Sequence, residues 1–243
     1  MASPHGDFSG DASGRVRALF DRIAPRYDTI NDVQSFWLHR TWKRRLVRMA
    51  LDGSGAPGRA LDVCCGTGDI ALALAQAGAA TTGLDFSAPM LQAARQRAAT
   101  LAPVHAPQFV QGDALNLPFA DASFDVVTCA YGLRNLTDLE GGLAQMRRVL
   151  KPGGRLLILD FGKPANTAWR AAYFAYLRFA VPVLGWLFCG DAAAYAYILE
   201  SLRRYPAQEG VAATLRALGF VDVVVENLLG GVMSIHSARA PAH

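Results

Sequence analysis

Cysteine and histidine are scarce in this chain, which has four of the first and five of the second among 243 residues. No two cysteines have the C-x-x-C spacing and the histidines follow no ligand pattern, so the sequence predicts no metal site. Cys64 and Cys65 are adjacent at the end of an apolar strand, where cysteine behaves as a small hydrophobic residue. These features predict reduced thiols, as is typical of cytoplasmic proteins.

Long apolar runs are also missing. The first residues, MASPHGDFSGDASG, lack the apolar core of a signal peptide, and we expect a disordered tail over 1–14. One apolar stretch, Ala171 to Cys189, is nearly long enough to cross a bilayer, but Arg178 lies in its middle. Because a charge at the centre of a bilayer costs about 2.5–3.5 kcal/mol on insertion scales, this stretch predicts buried or interfacial helices.

What the chain does contain is an alternation of short apolar strands and helical stretches from Arg59 onwards. This alternation predicts an α/β fold in which helices cover both faces of a mostly parallel sheet. Thr137 and Glu140 have the spacing of a capping box and predict the start of one helix. After Lys163 the strand pattern stops, and the chain ends in a helix and two strands joined at Gly230–Gly231, which predicts an antiparallel hairpin.

We therefore predict a tail followed by a single domain over 15–243. Its segments are an N-terminal helical region (15–51), a cofactor-binding core (59–162), a helical substrate-side insertion (163–206), and a final helix with the hairpin (207–238).

A glycine turn follows the first strand. Gly66, Gly68 and Ala71 fit the G-x-G-x-x-G/A pattern of dinucleotide-binding folds. In an open parallel sheet the ligand lies beyond the carboxyl ends of the strands. The second strand ends at Asp85, whose carboxylate can accept hydrogen bonds from both hydroxyls of a ribose. On these residues NAD and S-adenosylmethionine fit equally well.

Asp69 begins to separate the two ligands. A carboxylate beside the turn would repel a pyrophosphate, whereas S-adenosylmethionine carries an ammonium and a sulfonium that Asp62 or Asp69 would favour. Asp69 could instead stabilise the positive end of its own helix. Asp113 and Ala114 end the third strand, where a side-chain oxygen can accept a hydrogen bond from an adenine amino group. For Asp113 alone, a loop-capping role fits as well.

The motifs LDVCCGTGD, GLD ending at Asp85, GDA from 112 to 114, and VLKPGGRLLILDF resemble those of class I S-adenosylmethionine-dependent methyltransferases. The resemblance implies a Rossmann-like seven-stranded sheet, mostly parallel, with a C-terminal antiparallel hairpin. LFDRIAPRYDTINDVQSFWLHRTWKRRLV and YGLRNLTD more narrowly resemble the ubiquinone/menaquinone biosynthesis C-methyltransferases, over roughly 15–237. That family implies cofactor contacts at Thr67, Asp85, Asp113 and Ala114. The chain departs from it in the turn CCGTG, where small residues are usual, and at Tyr131, which replaces a frequent Phe.

The resemblance implies transfer of a methyl group to a ring carbon of a prenylated quinol. The ring must be reduced, because the quinol is electron-rich and losing a phenolic proton makes its carbon more nucleophilic. Arg134 could stabilise the developing phenolate or orient a water, although a loop-pinning salt bridge is its structural alternative. Asn135 could orient the quinol oxygen, Tyr27 follows a break at Pro25, and His39 is a weaker candidate base.

Two features concern partners. The aromatic stretch from Trp169 to Tyr197 suits a groove for the prenyl tail or contact with a bilayer, and an ordinary helical cap is its alternative. Arg15 to Arg48 carries nine Lys/Arg against three Asp/Glu, which suits a solvated helix or anionic lipid headgroups. We expect a cytoplasmic protein with peripheral contact at the inner face of the membrane and no nucleic-acid partner. A homodimer and a monomer both stay open.

The sequence thus favours C-methylation of demethylmenaquinol to menaquinol, with the benzoquinol of ubiquinone biosynthesis left open. A methyltransferase of the same superfamily acting on another hydrophobic small molecule is the first alternative. A dinucleotide-dependent oxidoreductase is a remoter one, and a non-catalytic binding module is the least favoured.

Overall fold

A computed structural model describes residues 35–51, 58–101, 105–183 and 193–242, together with the single positions 14, 21, 31 and 32. The predicted tail lies outside the described residues except for Gly14, which is helical. Tyr27 also lies outside them.

Seven strands form one sheet in the order β3-β2-β1-β4-β5-β7-β6. Strands β1 to β5 pair in parallel with one another, and β7 runs antiparallel to both β5 and β6. The predicted fold, a mostly parallel sheet that ends in an antiparallel hairpin, is confirmed. The strands are β1 (Arg59–Val63), β2 (Ala80–Asp85), β3 (Gln108–Gln111), β4 (Phe124–Ala130), β5 (Leu150–Phe161), β6 (Val221–Leu228) and β7 (Met233–Arg239).

Burial explains the strand sequences. The central strands β1, β4 and β5 are buried along most of their length, because helices cover both faces of the sheet. The edge strand β6 has exposed and half-buried residues only. Near-continuous apolar runs therefore mark the centre of the sheet.

The described helices surround this sheet. They are α1 (Leu38–Leu51), α2 (Asp69–Gln76), α3 (Ala88–Leu101), α4 (Leu139–Val149), α5 (Thr167–Ala175), α6 (Ala193–Arg204) and α7 (Ala207–Ala217). A π-helical segment, Tyr176–Ala180, continues α5 and runs on to residue 183. No helix within the described ranges is both long and apolar enough to cross a bilayer.

The predicted capping box of α4 is wrong. The N-cap is Asp138, whose side chain accepts a hydrogen bond from the backbone N–H of Gly141 at 2.9 Å. A Cβ at position 141 would lie 2.4 Å from a carboxylate oxygen of Asp138. The glycine therefore leaves room for this cap, and the helix begins one residue later than Thr137 predicted.

Candidate functional site

A cavity of about 460 Å³ lies at the carboxyl edge of the parallel strands, within the size range of small-molecule sites. Five predicted site residues line it: Gly66, Asp85, Asp113, Ala114 and Asn135. A second cavity of about 20 Å³ shares the wall formed by Cys64, Gly66, Ala130 and Tyr131. Asp62, Thr67 and Asp69 line this smaller cavity. The topology thus gathers the ends of β1, β2, β3 and β4 around one crevice.

Asp85 is buried at the end of β2 and faces the larger cavity. One carboxylate oxygen accepts the backbone N–H of Gly66 at 2.8 Å, and the other accepts that of Ser87 at 2.9 Å. Burial raises the pKa of this carboxyl, and the backbone hydrogen bonds oppose that rise. Because a carboxylate has about four acceptor sites, each oxygen can accept a further bond from a ligand.

The two glycines of the turn are required for different structural reasons. Gly66 has φ 53° and lines both cavities, so it brings backbone close to the crevice. Gly68 has φ 86° and lines neither cavity. A Cβ on Gly68 would lie 3.1 Å from Cβ of Ala94 and 3.2 Å from the ring of Phe109. Its glycine is required by backbone conformation and by packing against α3 and β3, and not by close approach of a ligand.

Asp62 is buried beneath the smaller cavity. Its carboxyl accepts hydrogen bonds from Oγ1 of Thr128 at 2.8 Å and from the backbone N–H of Ala71 at 3.2 Å. Burial raises the pKa of Asp62 to about 7, although these hydrogen bonds oppose the rise. The group is therefore only partly ionised at neutral pH.

Asp69 is not the unpaired carboxylate that the sequence argument assumed, and that premise is wrong. Nζ of Lys43 donates to one oxygen at 2.7 Å, and the guanidinium of Arg97 binds the other. Burial would raise the pKa of Asp69, but these two cations outweigh it and hold the pKa below its usual range. Since the chain itself supplies the counter-charges, repulsion of a pyrophosphate by Asp69 no longer distinguishes the ligands.

Thr67 and Asp113 also have partners within the chain. Arg97 donates to the carbonyl of Thr67 at 2.9 Å and to its hydroxyl at 3.0 Å. One oxygen of Asp113 accepts the backbone N–H of Leu115 at 2.9 Å, which is the loop-capping contact considered above. Ala114 is buried against the larger cavity. Contacts of these residues with a cofactor stay a prediction.

The loops after β1 and β4 meet at the crevice in strained conformations. Cys64 has φ 57° and Tyr131 has φ 62°, in the left-handed region that non-glycine residues seldom occupy. A Cβ on Gly132 would lie 2.4 Å from Cβ of Cys64, so only glycine permits this approach. Both of these left-handed residues belong to the wall between the cavities.

Arg134 lies behind this wall and lines neither cavity. Nη1 donates to Asp160 at 2.9 Å and to the carbonyl of Tyr131 at 2.6 Å, while the backbone N–H of Arg134 donates to the second oxygen of Asp160. The guanidinium lies 4.5 Å from the ring centroid of Phe161. Both charged side chains are buried, at 7% and 0% exposure. This geometry is that of a loop-pinning salt bridge, and a direct role in catalysis stays a prediction.

Asn135 lines the larger cavity, and its amide nitrogen donates to the carbonyl of Tyr131 at 3.3 Å. That carbonyl therefore receives hydrogen bonds from both Arg134 and Asn135.

His39 lies elsewhere. It is buried in α1, where Nδ1 is 2.8 Å from the hydroxyl of Ser35 and Nε2 is 3.6 Å from Asp32. Burial and then Lys43 lower the pKa of His39, against the opposing effect of Asp32. It lines neither cavity at the sheet edge but a separate open groove of about 950 Å³.

Sequence reasoning missed three residues that shape the site: Lys43, Arg97 and Asp160. Asp160 had a signal, because it lies near the end of β5 just as Asp85 ends β2. Lys43 and Arg97 lie 26 and 28 positions from Asp69, so no local sequence pattern predicts their ion pairs with it. Within the ranges that the structure covers, no group of three or more His, Cys, Asp or Glu could hold a metal ion.

Comparison with known proteins places the chain among methyltransferases. The model of the ubiE/COQ5 methyltransferase family matches residues 9–240. A demethylmenaquinone methyltransferase of Thermus thermophilus is 44% identical, over 92% of this chain and 100% of that protein. The ubiquinone/menaquinone biosynthesis C-methyltransferase UbiE of Stutzerimonas stutzeri is 40% identical, over 93% of this chain and 89% of that protein.

Among solved structures, a magnesium protoporphyrin IX methyltransferase of Synechocystis with bound S-adenosylhomocysteine superposes with a TM-score of 0.66. The alignment covers 93% of this chain and 98% of that one at 21% identity, so it speaks for the fold alone.

Proposed function

The chain belongs to the ubiE/COQ5 methyltransferase family, and we propose that it methylates a ring carbon of a prenylated quinol, with demethylmenaquinol as the favoured acceptor. The observation that carries this proposal is the nearly full-length similarity to proteins named for that reaction. S-adenosylmethionine is the methyl donor of this enzyme class.

The residues around the larger cavity fit that donor. Asp85 presents a fixed carboxylate suited to two ribose hydroxyls, and Asp113 and Ala114, which line the same cavity, are the residues proposed to contact the adenine. Gly66 supplies backbone close to the crevice, and Asp62 and Thr67 line its narrow end. Asp69 acts in this proposal through Lys43 and Arg97, by fixing the turn that carries Gly66 and Thr67.

When bound, S-adenosylmethionine supplies an electrophilic methyl group, and the ring carbon that accepts it releases its hydrogen as a proton. The chain has to bind the quinol in its reduced form, exclude water and stabilise negative charge on a phenolic oxygen. Asn135 is the predicted group to orient that oxygen, because it lines the cavity. Arg134, whose charge is balanced by Asp160, holds the carbonyl of Tyr131 from behind the wall, and Asn135 donates to the same carbonyl.

We further propose peripheral contact with a membrane, where a prenylated acceptor would be found. Phe36, Trp37, Phe179 and Val183 are each more than half exposed. The ring centroid of Phe36 lies 6.4 Å from that of Tyr176, so the segments that carry these side chains are neighbours. Aromatic and aliphatic side chains exposed together suit the interfacial region of a bilayer.

The open groove beside α1 adds the electrostatic part of this contact. Five of the described residues that line it are basic and one is acidic: Arg40, Lys43, Arg44, Arg48 and Arg97 against Asp69. Anionic headgroups would neutralise such a surface.

The double variant Arg44→Glu/Arg48→Glu is expected to lose flotation with phosphatidylglycerol vesicles. The control is Arg147→Glu/Arg216→Glu, which makes an equal charge change on α4 and α7 and is expected to keep flotation.

The decisive experiment is methyl transfer from labelled S-adenosylmethionine to a prenylated naphthoquinol and a prenylated methoxybenzoquinol, each offered reduced and oxidised. We expect label on the ring carbon of a reduced acceptor, with the naphthoquinol preferred. Parallel calorimetry with S-adenosylhomocysteine and NADH tests the cofactor, and only the first is expected to bind. Protein that binds S-adenosylhomocysteine but methylates none of the four acceptors would contradict the quinol proposal.

A further inference from the structure

Lys43 is the only basic side chain among the described residues that line the two cavities of the crevice. It belongs to α1, which lies outside the sheet and packs against α2, the helix that begins at Asp69. Its side chain is 12% exposed, and Nζ lies 2.7 Å from a carboxylate oxygen of Asp69 and 5.7 Å from the ring centroid of Tyr131. A cation is therefore fixed at the smaller cavity, beside the wall that the two cavities share.

The rest of this lining is acidic. Asp62 and Asp69 line the smaller cavity, and Asp85 and Asp113 line the larger one. The α-ammonium and the sulfonium of S-adenosylmethionine are attracted by such a lining, whereas its α-carboxylate is repelled. Because charges interact more strongly in a partly dry crevice than in water, the α-carboxylate is most stable beside a cation.

The shape of the donor indicates which of its ends lies near Lys43. Adenine and ribose are assigned to the larger cavity, and the amino-acid chain is attached to the ribose at the end away from the adenine. Gly66 borders both cavities and donates its N–H to Asp85, so the smaller cavity begins where the ribose is proposed to end. With about 20 Å³, that cavity has room for one group the size of a water molecule, which suits a charged end of the amino acid.

Lys43 retains attraction for an anion although it is paired with Asp69. The guanidinium of Arg97 binds the other oxygen of Asp69, so two cations share one carboxylate and the cluster has a net positive charge. An ammonium has three N–H donors, so Lys43 can bind Asp69 and an oxygen of a ligand at the same time. The cluster therefore combines a fixed position with an excess of positive charge.

We propose that Lys43 binds the α-carboxylate of S-adenosylmethionine and holds the amino-acid end of the donor beside the glycine turn. This inference rests on the proposed function only through its methyl donor and holds whichever acceptor is methylated. It makes α1, a helix outside the sheet, part of the donor site. Since the amino-acid chain carries the sulfonium, fixing its carboxylate also restricts the position of the reactive methyl group.

The experiment compares two ligands that differ only in this carboxylate: S-adenosylhomocysteine and decarboxylated S-adenosylhomocysteine, which keeps the amine. Calorimetry measures both dissociation constants for the full chain as wild type, Lys43→Met and Lys43→Arg. We expect wild type to prefer S-adenosylhomocysteine by at least about tenfold, as for one hydrogen bond between charged groups. Lys43→Met should lose most of this preference, and Lys43→Arg, which keeps the charge, should retain more of it.

Arg97→Met is the matched control. It removes an equal charge and the other partner of Asp69, but Arg97 lines the open groove and neither cavity of the crevice. Arg97 also binds Thr67, so a loosened turn would weaken both ligands alike. The preference for the carboxylate should therefore stay within threefold of wild type. Lys43→Gln, which can still donate to Asp69, replaces Lys43→Met if the latter does not fold.

The outcomes separate a direct contact from a structural role. Loss of the preference in Lys43→Met but not in Arg97→Met supports the inference. A preference in Lys43→Met within threefold of wild type would refute it, because Lys43 would then act only through Asp69 and the turn. Equal loss in both variants, or equal binding of the two ligands by wild type, would also refute it. Wild type that binds neither ligand would refute the proposed donor itself, and this inference with it.

Discussion

Two buried carboxylates near the ends of parallel strands are held in different ways. They are Asp85, at the larger cavity, and Asp160, behind the wall between the two cavities. Backbone N–H groups hold Asp85, and its remaining acceptor sites face the larger cavity. A side chain, the guanidinium of Arg134, holds Asp160, and neither of the described cavities reaches it. The same strand-end position thus borders the crevice in one case and is taken up by an ion pair in the other.

This difference shows how far the conformation of each half of the crevice depends on a single ion pair. In the donor half, the side of the crevice proposed to bind S-adenosylmethionine, glycines and backbone N–H groups bound to Asp85 set the conformation, and the ion pairs of Asp69 also hold the turn. In the acceptor half, the side of the crevice proposed to bind the quinol, the Arg134–Asp160 ion pair fixes the left-handed residue Tyr131 and the loop that carries Asn135. We therefore expect the loss of Asp160 to cost mainly stability and the loss of Asp85 to cost mainly binding.

The largest effect is expected for Asp160→Ala, which leaves the guanidinium of Arg134 buried without its partner. Removing one member of a buried pair costs about 3–5 kcal/mol of folding free energy. Urea denaturation measures the loss. The double variant Asp160→Leu/Arg134→Met should regain most of the stability but not the methyl transfer, and a double variant that stays as unstable as the single one would contradict this account.

A second prediction concerns Asp62 and pH. The unfolded carboxyl has a pKa near 3.9 and the folded one a pKa of about 7, so between these values the folded state holds the proton more tightly. Wild-type stability should therefore fall as pH rises from about 4 to 7, by up to about 4 kcal/mol from this group alone.

The matched comparison is Asp62→Asn, whose stability should fall less over the same interval. Equal slopes for wild type and Asp62→Asn in urea titrations at pH 5 and pH 7 would refute the assignment.

The third prediction tests the donor half directly. Asp85→Ala removes the two proposed acceptor contacts to a bound ribose and should weaken S-adenosylhomocysteine binding by at least about 100-fold, because hydrogen bonds to charged groups are worth about 1.5–3 kcal/mol each. Calorimetry gives the dissociation constant. Asp113→Ala should cost less, because Asp113 is exposed and water weakens its hydrogen bond to a ligand, whereas Asp85 is buried. An Asp85→Ala affinity within threefold of wild type would overturn the assignment.

The smallest expected effect is on the free energy of unfolding, and it tests whether packing against neighbouring side chains requires Gly68. Gly68→Ala should destabilise the fold by about 1–2 kcal/mol more than Gly153→Ala does. Both glycines have positive φ, at 86° and 72°, but a Cβ meets Ala94 and Phe109 at position 68 and open space at position 153. The difference in unfolding free energy is the measurement, and equal costs would mean that backbone conformation alone demands Gly68.

The fold was predictable because its evidence is local. Apolar strands, helical stretches and the hairpin glycines each occupy a short window, and their order along the chain limits the topology. The capping of α4 shows where such evidence ends. Thr137 and Asp138 are both suitable caps, and the space left by Gly141 decides between them.

Only part of the site was predictable for the same reason. The strand-end rule located Asp85, Asp113 and Ala114, and the structure places all three at the larger cavity. The argument from Asp69 failed because its partners are distant in sequence. His39 was named for its intrinsic pKa, but burial in α1 places it away from both cavities.

The sequence by itself determined the alternating sheet, its antiparallel end and the family, because periodicity and motifs are carried by residues close together in the chain. The tertiary structure alone decided which charges meet. It paired Asp69 with Lys43 and Arg97, and it paired Arg134 with Asp160. Electrostatic energies and pKa values depend on separation in space and on burial, and both exist only once the chain has folded.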